Sequence, residues 1–183
     1  MKKTILKIAI ALISLLLAFL LVWFAIVWVY YPHYSKNKKE ILVNETYNPE
    51  DIRIMSYNIR CHAPDDLGHK NWFYRANLVI DTIEKAKPGI IGFQEVNSWQ
   101  YEYLCESMPD FDSIITYRDN IPVYSEGCPV FYRTDLYTLV EKGSFWLSET
   151  PDEMSKDWGA ACYRICSYAI LKDNATEKEF VVF

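Results

Sequence analysis

Charged residues are absent from one long stretch near the start of the sequence. From Ile8 to Tyr31 there are 24 residues without a charge, and Ser14 is the one clearly polar side chain among them. As a helix rising about 1.5 Å per residue, the stretch is about 36 Å long, enough to cross a hydrocarbon core of about 30 Å. A cleaved signal peptide has a shorter apolar region ending in small residues, whereas this one ends in aromatic residues typical of a membrane interface. The sequence therefore predicts a transmembrane anchor over residues 8–31.

The charges that flank this anchor give it only a weak orientation. Three lysines lie in the tail of residues 1–7, and three follow the anchor at positions 36, 38 and 39. The amino terminus adds a charge to the front, and Glu40 offsets part of the rear cluster. The rule that positive charge stays inside then favours a cytoplasmic tail and an extracytoplasmic domain. We expect residues 32–50 to be a linker and residues 51–183 to form the domain.

The domain lacks an excess of basic residues. No acidic residue precedes position 32 and three of the 19 Lys and Arg residues do, so residues 32–183 carry 24 acidic and 16 basic side chains, a balance of −8. This opposes broad attraction to a phosphate backbone, so nucleic acid is possible as a partner but is not supported by charge. A local metal site is still compatible with the balance, because the cation supplies positive charge of its own.

Cysteines are too few and too irregular to form a disulfide framework. There are five, and an odd number excludes a fully paired set within the chain. Cys162 and Cys166 would lie about 13 Å apart along a strand, too far for a disulfide. The spacing also matches no zinc site.

Two predicted strands end on polar side chains. The apolar run from Gly89 to Val96 is typical of a buried strand and carries Glu95 near its end, and an earlier strand over 52–57 is followed by Asn58. Ligand sites in open α/β sheets lie beyond the carboxyl ends of strands. A glutamate there stays ionised only with a partner, and a hard cation is one such partner. The alternative is that Asn58 caps a turn and Glu95 pairs with a surface Lys or Arg.

The remaining pattern alternates strands and helices and then becomes mostly strands. Apolar spacing predicts a helix over 71–87 that Pro88 ends, and Asn97 with Gln100 resembles a capping box opening a helix over 98–108. Further strands are predicted at 111–117, 129–133, 137–145, 162–172 and 179–183. This order favours an α/β sandwich over a purely parallel sheet. Because the final apolar strand has nothing after it to cover it, we expect the sequence to stop inside a domain.

Five short motifs resemble the endonuclease/exonuclease/phosphatase superfamily, whose members include deoxyribonuclease I, and in particular its bacterial membrane-attached members. In family order they are Met55–Arg60, Ile91–Val96, Pro129–Arg133, Phe145–Pro151 and Ala161–Cys166. The resemblance implies a four-layer α/β sandwich, in which two packed mixed β-sheets carry helices on their outer faces, here incomplete and preceded by the transmembrane helix.

The resemblance also implies metal-assisted hydrolysis of a phosphoester with Mg²⁺ or Mn²⁺. A glutamate like Glu95 binds the metal, and an asparagine like Asn58 helps to organise metal and phosphate. Glu126 matches a glutamate that orients the catalytic histidine, and Arg164 matches an arginine that contacts phosphate. The structural alternatives are that Arg164 pairs with Glu126 or Asp157, and that Glu126 is a solvated charge. Nucleic acid, phospholipid headgroups and small phosphoesters all remain open as substrates.

Histidine is where the sequence departs from the family. The superfamily carries its catalytic histidine in an Asn-Thr-His motif, followed by Asp-x-Asn and Asp-His motifs. Here the three histidines are His33, His62 and His69, all upstream, and solvated rather than ligating side chains are expected at the last two. We therefore expect the amino-terminal, inactive portion of a membrane-anchored phosphoesterase. The alternative is a non-catalytic, membrane-tethered protein that binds a phosphate ligand.

Overall fold

A computed structural model describes residues 2–26, 51–63, 65–66 and 70–183, and the chain divides into two compact units, residues 1–38 and 39–183. The predicted linker, residues 32–50, and the last part of the predicted anchor, residues 27–31, lie outside the described residues. In the first unit, helix α1 spans Lys2–Phe24, and all of its side chains are exposed. By length and composition this helix could cross a membrane, and it begins inside the basic tail rather than at Ile8.

The second unit begins with a four-stranded mixed sheet. Its strands lie in the order β1, β2, β4, β3, and their bounds are Ile54–Asn58 (β1), Ile90–Gln94 (β2), Phe111–Ile114 (β3) and Val130–Arg133 (β4). The first two strands are parallel because the chain returns between them through helix α2, Trp72–Ala86. The other neighbours in this sheet are antiparallel.

A second, antiparallel sheet follows along the chain. It consists of β5 (Tyr137–Trp146), β6 (Ile165–Asp173) and β7 (Glu179–Val182), in that order. The register between β5 and β6 shifts between Leu139 and Glu141, which marks a β-bulge. The resemblance implied two mixed sheets, whereas the described part of this second sheet is antiparallel throughout.

The two sheets pack face to face through one apolar core. Inward-facing residues of both sheets share it: Ile90, Ile114, Val130, Tyr132, Tyr137, Ala169, Leu171 and Val182. The alternate residues of the first sheet, such as Phe93 and Phe131, are equally buried on its other face, where Tyr101 contacts Phe131 at 5.8 Å between ring centroids. Tyr101 belongs to helix α3, Ser98–Ser107, so the helices form an outer layer. The α/β sandwich predicted from the sequence is confirmed.

Local capping fixes where both helices begin and end. Asn71 caps α2 by accepting a hydrogen bond from the Phe73 backbone, and the helix ends at a left-handed Lys87 just before Pro88. Asn97 and Gln100 form the predicted capping box of α3. These are the positions at which the sequence predicted the helix ends.

Two predicted strands are shorter than expected. The strand predicted over 111–117 ends at Ile114, because Tyr117 pairs with Gly127 through a single isolated bridge. The strand predicted over 162–172 begins at Ile165. Arg164 therefore lies immediately before β6 and not within it.

Candidate metal and phosphate site

The structure brings Asn58 and Glu95 into direct contact. In the parallel pairing of β1 with β2, Asn58 lies opposite Gln94, so Glu95 follows at the same edge of the sheet. The Asn58 amide Nδ2 donates a hydrogen bond of 2.9 Å to Glu95 Oε1. The amide of Asn58 and the carboxylate of Glu95 thus lie together at the carboxyl ends of β1 and β2, as the sequence predicted.

A tight turn after Asn58 completes the surroundings of the carboxylate. Asn58 Oδ1 accepts from the Arg60 backbone N–H at 2.9 Å, and Glu95 Oε2 accepts from the Cys61 backbone N–H at 3.3 Å. Asn58 therefore does cap a turn, as the structural alternative expected. As for the other half of that alternative, Glu95 has no ion pair with Lys or Arg among the described residues.

Two helix side chains that the sequence did not point to, Arg75 and Gln100, hold this turn through hydrogen bonds to its backbone carbonyls. Arg75 of α2 donates to the carbonyls of Ile59 at 2.5 Å, Arg60 at 3.1 Å and Lys70 at 2.7 Å. Gln100 of α3 is fully buried and donates from Nε2 to the Arg60 carbonyl at 2.9 Å. Gln100 was recognisable as a capping residue, but nothing in the sequence signals its contact with a loop 40 residues away.

The donor set fits a hard cation that keeps most of its water. Glu95 is half-buried, is free of ion pairs among the described residues and lies beside an amide. Mg²⁺ commonly binds proteins through one or two carboxylates and completes six oxygen ligands with water and substrate phosphate. No group of three His, Cys, Asp or Glu side chains able to enclose a metal occurs in the part of the chain that the structure describes.

Glu126 lies next to the same turn but already has a cationic partner. Arg118 contacts both of its carboxylate oxygens, at 2.9 and 2.8 Å, and the Arg118 N–H also donates to the Glu126 carbonyl. The carboxylate is therefore not a solvated charge. On its other side it faces Cys61, where burial and then the negative charge of Glu126 raise the pKa of the thiol to about 11. Cys61 thus connects Glu126 to the turn that follows Asn58.

Arg164 is exposed and is not paired as the structural alternatives expected. Glu126 binds Arg118, and Asp157 Oδ2 accepts from the Glu149 backbone N–H at 2.9 Å. The Arg164 guanidinium has no hydrogen bond or ion pair within the described residues. No contact joins Arg164 to Asn58 or Glu95.

His62 has a packing role. It is buried, its ring stacks on Trp99 at 5.7 Å and tilts against Phe73 at 5.4 Å, and its backbone N–H donates to Gln100 Oε1. Burial lowers the pKa of His62. It is therefore not the solvated side chain that the sequence suggested, and His69 lies outside the described residues.

Comparison with known proteins identifies the fold. An endonuclease/exonuclease/phosphatase from Bacteroides vulgatus is 37% identical, with a TM-score of 0.67 over 71% of this chain. A Bacteroides thetaiotaomicron mannosyl-6-phosphatase is 36% identical, with a TM-score of 0.67 over 72% of this chain. The chain has the endonuclease/exonuclease/phosphatase fold. The catalytic domain of human Nocturnin, 18% identical with a TM-score of 0.55 over 75% of this chain, shares that fold.

The matched proteins are longer than this chain. It covers 50% of the Bacteroides vulgatus structure and 49% of the phosphatase. An uncharacterised protein of Acanthamoeba polyphaga mimivirus is 33% identical over 48% of this chain and 34% of its own length. A Danio rerio CCR4-NOT transcription complex subunit 6-like protein is 30% identical over 49% of this chain and 19% of its own length. No family model matches the chain. This chain thus spans about half the length of these two solved structures.

Proposed function

We propose that this chain carries the metal-binding part of a phosphoester hydrolase that uses Mg²⁺ or Mn²⁺. The observation that carries the proposal is the 2.9 Å contact between Asn58 and Glu95 at the ends of two parallel strands. The similarity to a mannosyl-6-phosphatase and to an endonuclease/exonuclease/phosphatase supports the same class of reaction. The proposed substrate is a phosphoester.

Each predicted residue has a task in this proposal. Glu95 holds the cation, with Asn58 orienting the carboxylate. Arg164, whose guanidinium has no partner among the described residues, contacts phosphate oxygens. The cation, when bound, polarises the phosphoryl group and offsets charge on the leaving oxygen. Glu126 is proposed to orient a histidine, although Arg118 occupies both of its oxygens in this structure.

The 183 residues alone are expected to bind metal and not to turn over substrate. The Asn-Thr-His motif that the resemblance implies is not among them, and buried His62 faces Trp99 and Phe73 rather than a substrate. General acid–base catalysis needs a titratable group within hydrogen-bond reach of the proton it moves. Of the two carboxylates in the described site, Glu95 is assigned to the cation and Glu126 is paired with Arg118, so neither is available to move a proton.

Metal binding by the full 183-residue chain tests the proposal. In nonionic detergent, the free Mn²⁺ signal in electron paramagnetic resonance should fall as protein is added. Glu95→Gln should weaken binding at least about tenfold, since the one free carboxylate loses its charge. Glu84→Gln, which neutralises an exposed carboxylate on α2, is the matched control and should bind as wild type. Equal affinity in Glu95→Gln and wild type would overturn the assignment.

We also propose that helix α1 tethers the protein to the membrane by a single pass, with the domain extracytoplasmic. Its 23 residues span about 35 Å at about 1.5 Å per residue, and all of its side chains are exposed. Resistance of the full chain to alkaline carbonate extraction, together with protease access to the domain from outside, is the expected result. Release into the soluble fraction would contradict the tether.

A non-catalytic phosphate-binding protein is the second candidate. It is favoured by the single free carboxylate of the site and by the absence of a three-ligand cluster among the described residues. A version of the protein that includes the histidine motifs separates the two candidates. Metal-dependent hydrolysis that Glu95→Gln abolishes supports the enzyme, and binding without hydrolysis supports the alternative.

A further inference from the structure

Arg60 presents a fixed, exposed guanidinium beside the candidate metal site. Its Nε and Nη2 atoms donate to the two carboxylate oxygens of Asp66, at 3.0 and 2.6 Å. The Asp66 side chain is 4% exposed, whereas that of Arg60 is 56% exposed. A bidentate pair with a buried carboxylate holds the guanidinium plane in one orientation, and Nη1 takes no part in that pair.

The backbone of Arg60 is fixed as firmly as its side chain. Its N–H donates to Asn58 Oδ1, and its carbonyl accepts from both Arg75 and Gln100. It adopts a left-handed conformation, with φ of 56°, and this places it between Asn58 and the Cys61 N–H that contacts Glu95. A long, exposed arginine is usually mobile, so restraint at both ends indicates a role in binding rather than in solvation.

Arg60 retains unused hydrogen-bond donors while it is paired with Asp66. The guanidinium carries five N–H donors, and Asp66 uses one on Nε and one on Nη2. The other three have no partner among the described residues, and the Arg60 side chain is exposed two residues after Asn58, which contacts Glu95. In an acidic domain, this is a local surface suited to the oxygens of an anion.

Counting oxygens distinguishes the two kinds of phosphoester. A diester has two non-bridging oxygens and a single charge, whereas a terminal phosphate has three and a charge of about −1.5 to −2 near neutral pH. The proposed site would offer a phosphate three separate positive groups. These are the cation held by Glu95, the guanidinium of Arg164 and the guanidinium of Arg60. We propose that Arg60 binds a non-bridging oxygen of a terminal phosphate and makes the site select phosphomonoesters over phosphodiesters. This inference rests on the proposed function, because it assumes a phosphate at Glu95.

Calorimetric titration of the full chain in nonionic detergent tests the selectivity. Phenyl phosphate and methyl phenyl phosphate are the two probes, each titrated with Mg²⁺ and again with EDTA. Arg60→Gln leaves buried Asp66 unpaired, so the double variant Arg60→Gln/Asp66→Asn, which buries no lone charge, accompanies it. We expect both variants to bind phenyl phosphate at least about tenfold more weakly and methyl phenyl phosphate less than about threefold more weakly.

The controls separate this inference from the metal assignment. Lys142→Gln removes an exposed cation from β5 and should change neither affinity, and Mn²⁺ should bind the two Arg60 variants no more weakly than wild type. Equal weakening for both probes, or unchanged phenyl phosphate binding, would overturn the selectivity. If wild type binds no metal, the proposed function fails, and the EDTA titrations still report whether Arg60 discriminates between the probes.

Discussion

Replacing Gln100 by leucine tests whether helix α3 holds the turn of the candidate site. Gln100 Oε1 accepts from the backbone N–H groups of His62 at 3.1 Å and Asn97 at 3.2 Å, while Nε2 donates to the Arg60 carbonyl. Leucine has a similar volume and strands both N–H groups in a fully buried place. The Arg60 carbonyl keeps Arg75 as a donor. At about 1–3 kcal/mol for each stranded donor, we expect a loss of about 4 kcal/mol of unfolding free energy.

Urea unfolding of the full chain in nonionic detergent, followed by tryptophan fluorescence, measures this loss. Domains are stable by about 5–15 kcal/mol, so the change should be a large fraction of the total. Glu102→Leu, at an exposed position of the same helix, strands no buried group and should change stability by no more than about 0.5 kcal/mol. A loss below about 1 kcal/mol in Gln100→Leu would refute the argument that these contacts hold the turn.

Three further predictions concern packing and protonation. Gly127→Ala should lower the free energy of unfolding in urea by about 1–3 kcal/mol, because the added Cβ would lie 2.8 Å from a side chain and 2.9 Å from a backbone oxygen. Gly92→Ala, where the added Cβ would have nothing within 4 Å, should be nearly neutral. Equal losses in the two variants would contradict this prediction. Alkylation of Cys61, followed by mass spectrometry, should accelerate only as the pH approaches its pKa of about 11, and Glu126→Gln should accelerate it at lower pH by lowering that pKa. Because burial lowers the pKa of His62, the unfolded chain binds a proton there at higher pH than the folded chain does. The free energy of unfolding should therefore fall as the pH drops through about 6.5. His62→Phe should remove this part of the pH dependence, and a plot of unfolding free energy against pH parallel to that of wild type would contradict the prediction.

The positions of Asn58 and Glu95 were predictable because they follow from short-range rules. An apolar strand, a helix that Pro88 ends and a second apolar strand form a unit whose strands are parallel neighbours. Parallel neighbours end at the same edge of a sheet, so their terminal polar residues meet. The capping box at Asn97 is equally local, since its partner is three residues away.

The support of the site was not predictable, because it depends on contacts between distant parts of the chain. Arg75 and Gln100 read as ordinary helix residues, yet they contact the Arg60 carbonyl from 15 and 40 residues away. Asp66 lies in a polar loop where exposure is the natural expectation, but it is buried under Arg60. The predicted end of β3 was wrong for a related reason. Its extension to Tyr117 depends on pairing with a distant segment, and Tyr117 forms only a single bridge to Gly127.

The backbone of the site indicates why such support is needed. Arg60 and Glu95 both have left-handed conformations, with φ of 56° and 60°, although neither is glycine. Such a conformation costs about 1–2 kcal/mol for a residue with a side chain, and it persists only where surrounding contacts determine it. At Arg60 those contacts come from Asn58, Arg75 and Gln100, and so from β1, α2 and α3 together. The helices therefore do more than cover the sheet, because the strained turn that faces the carboxylate of Glu95 is stable only while both of them are in place.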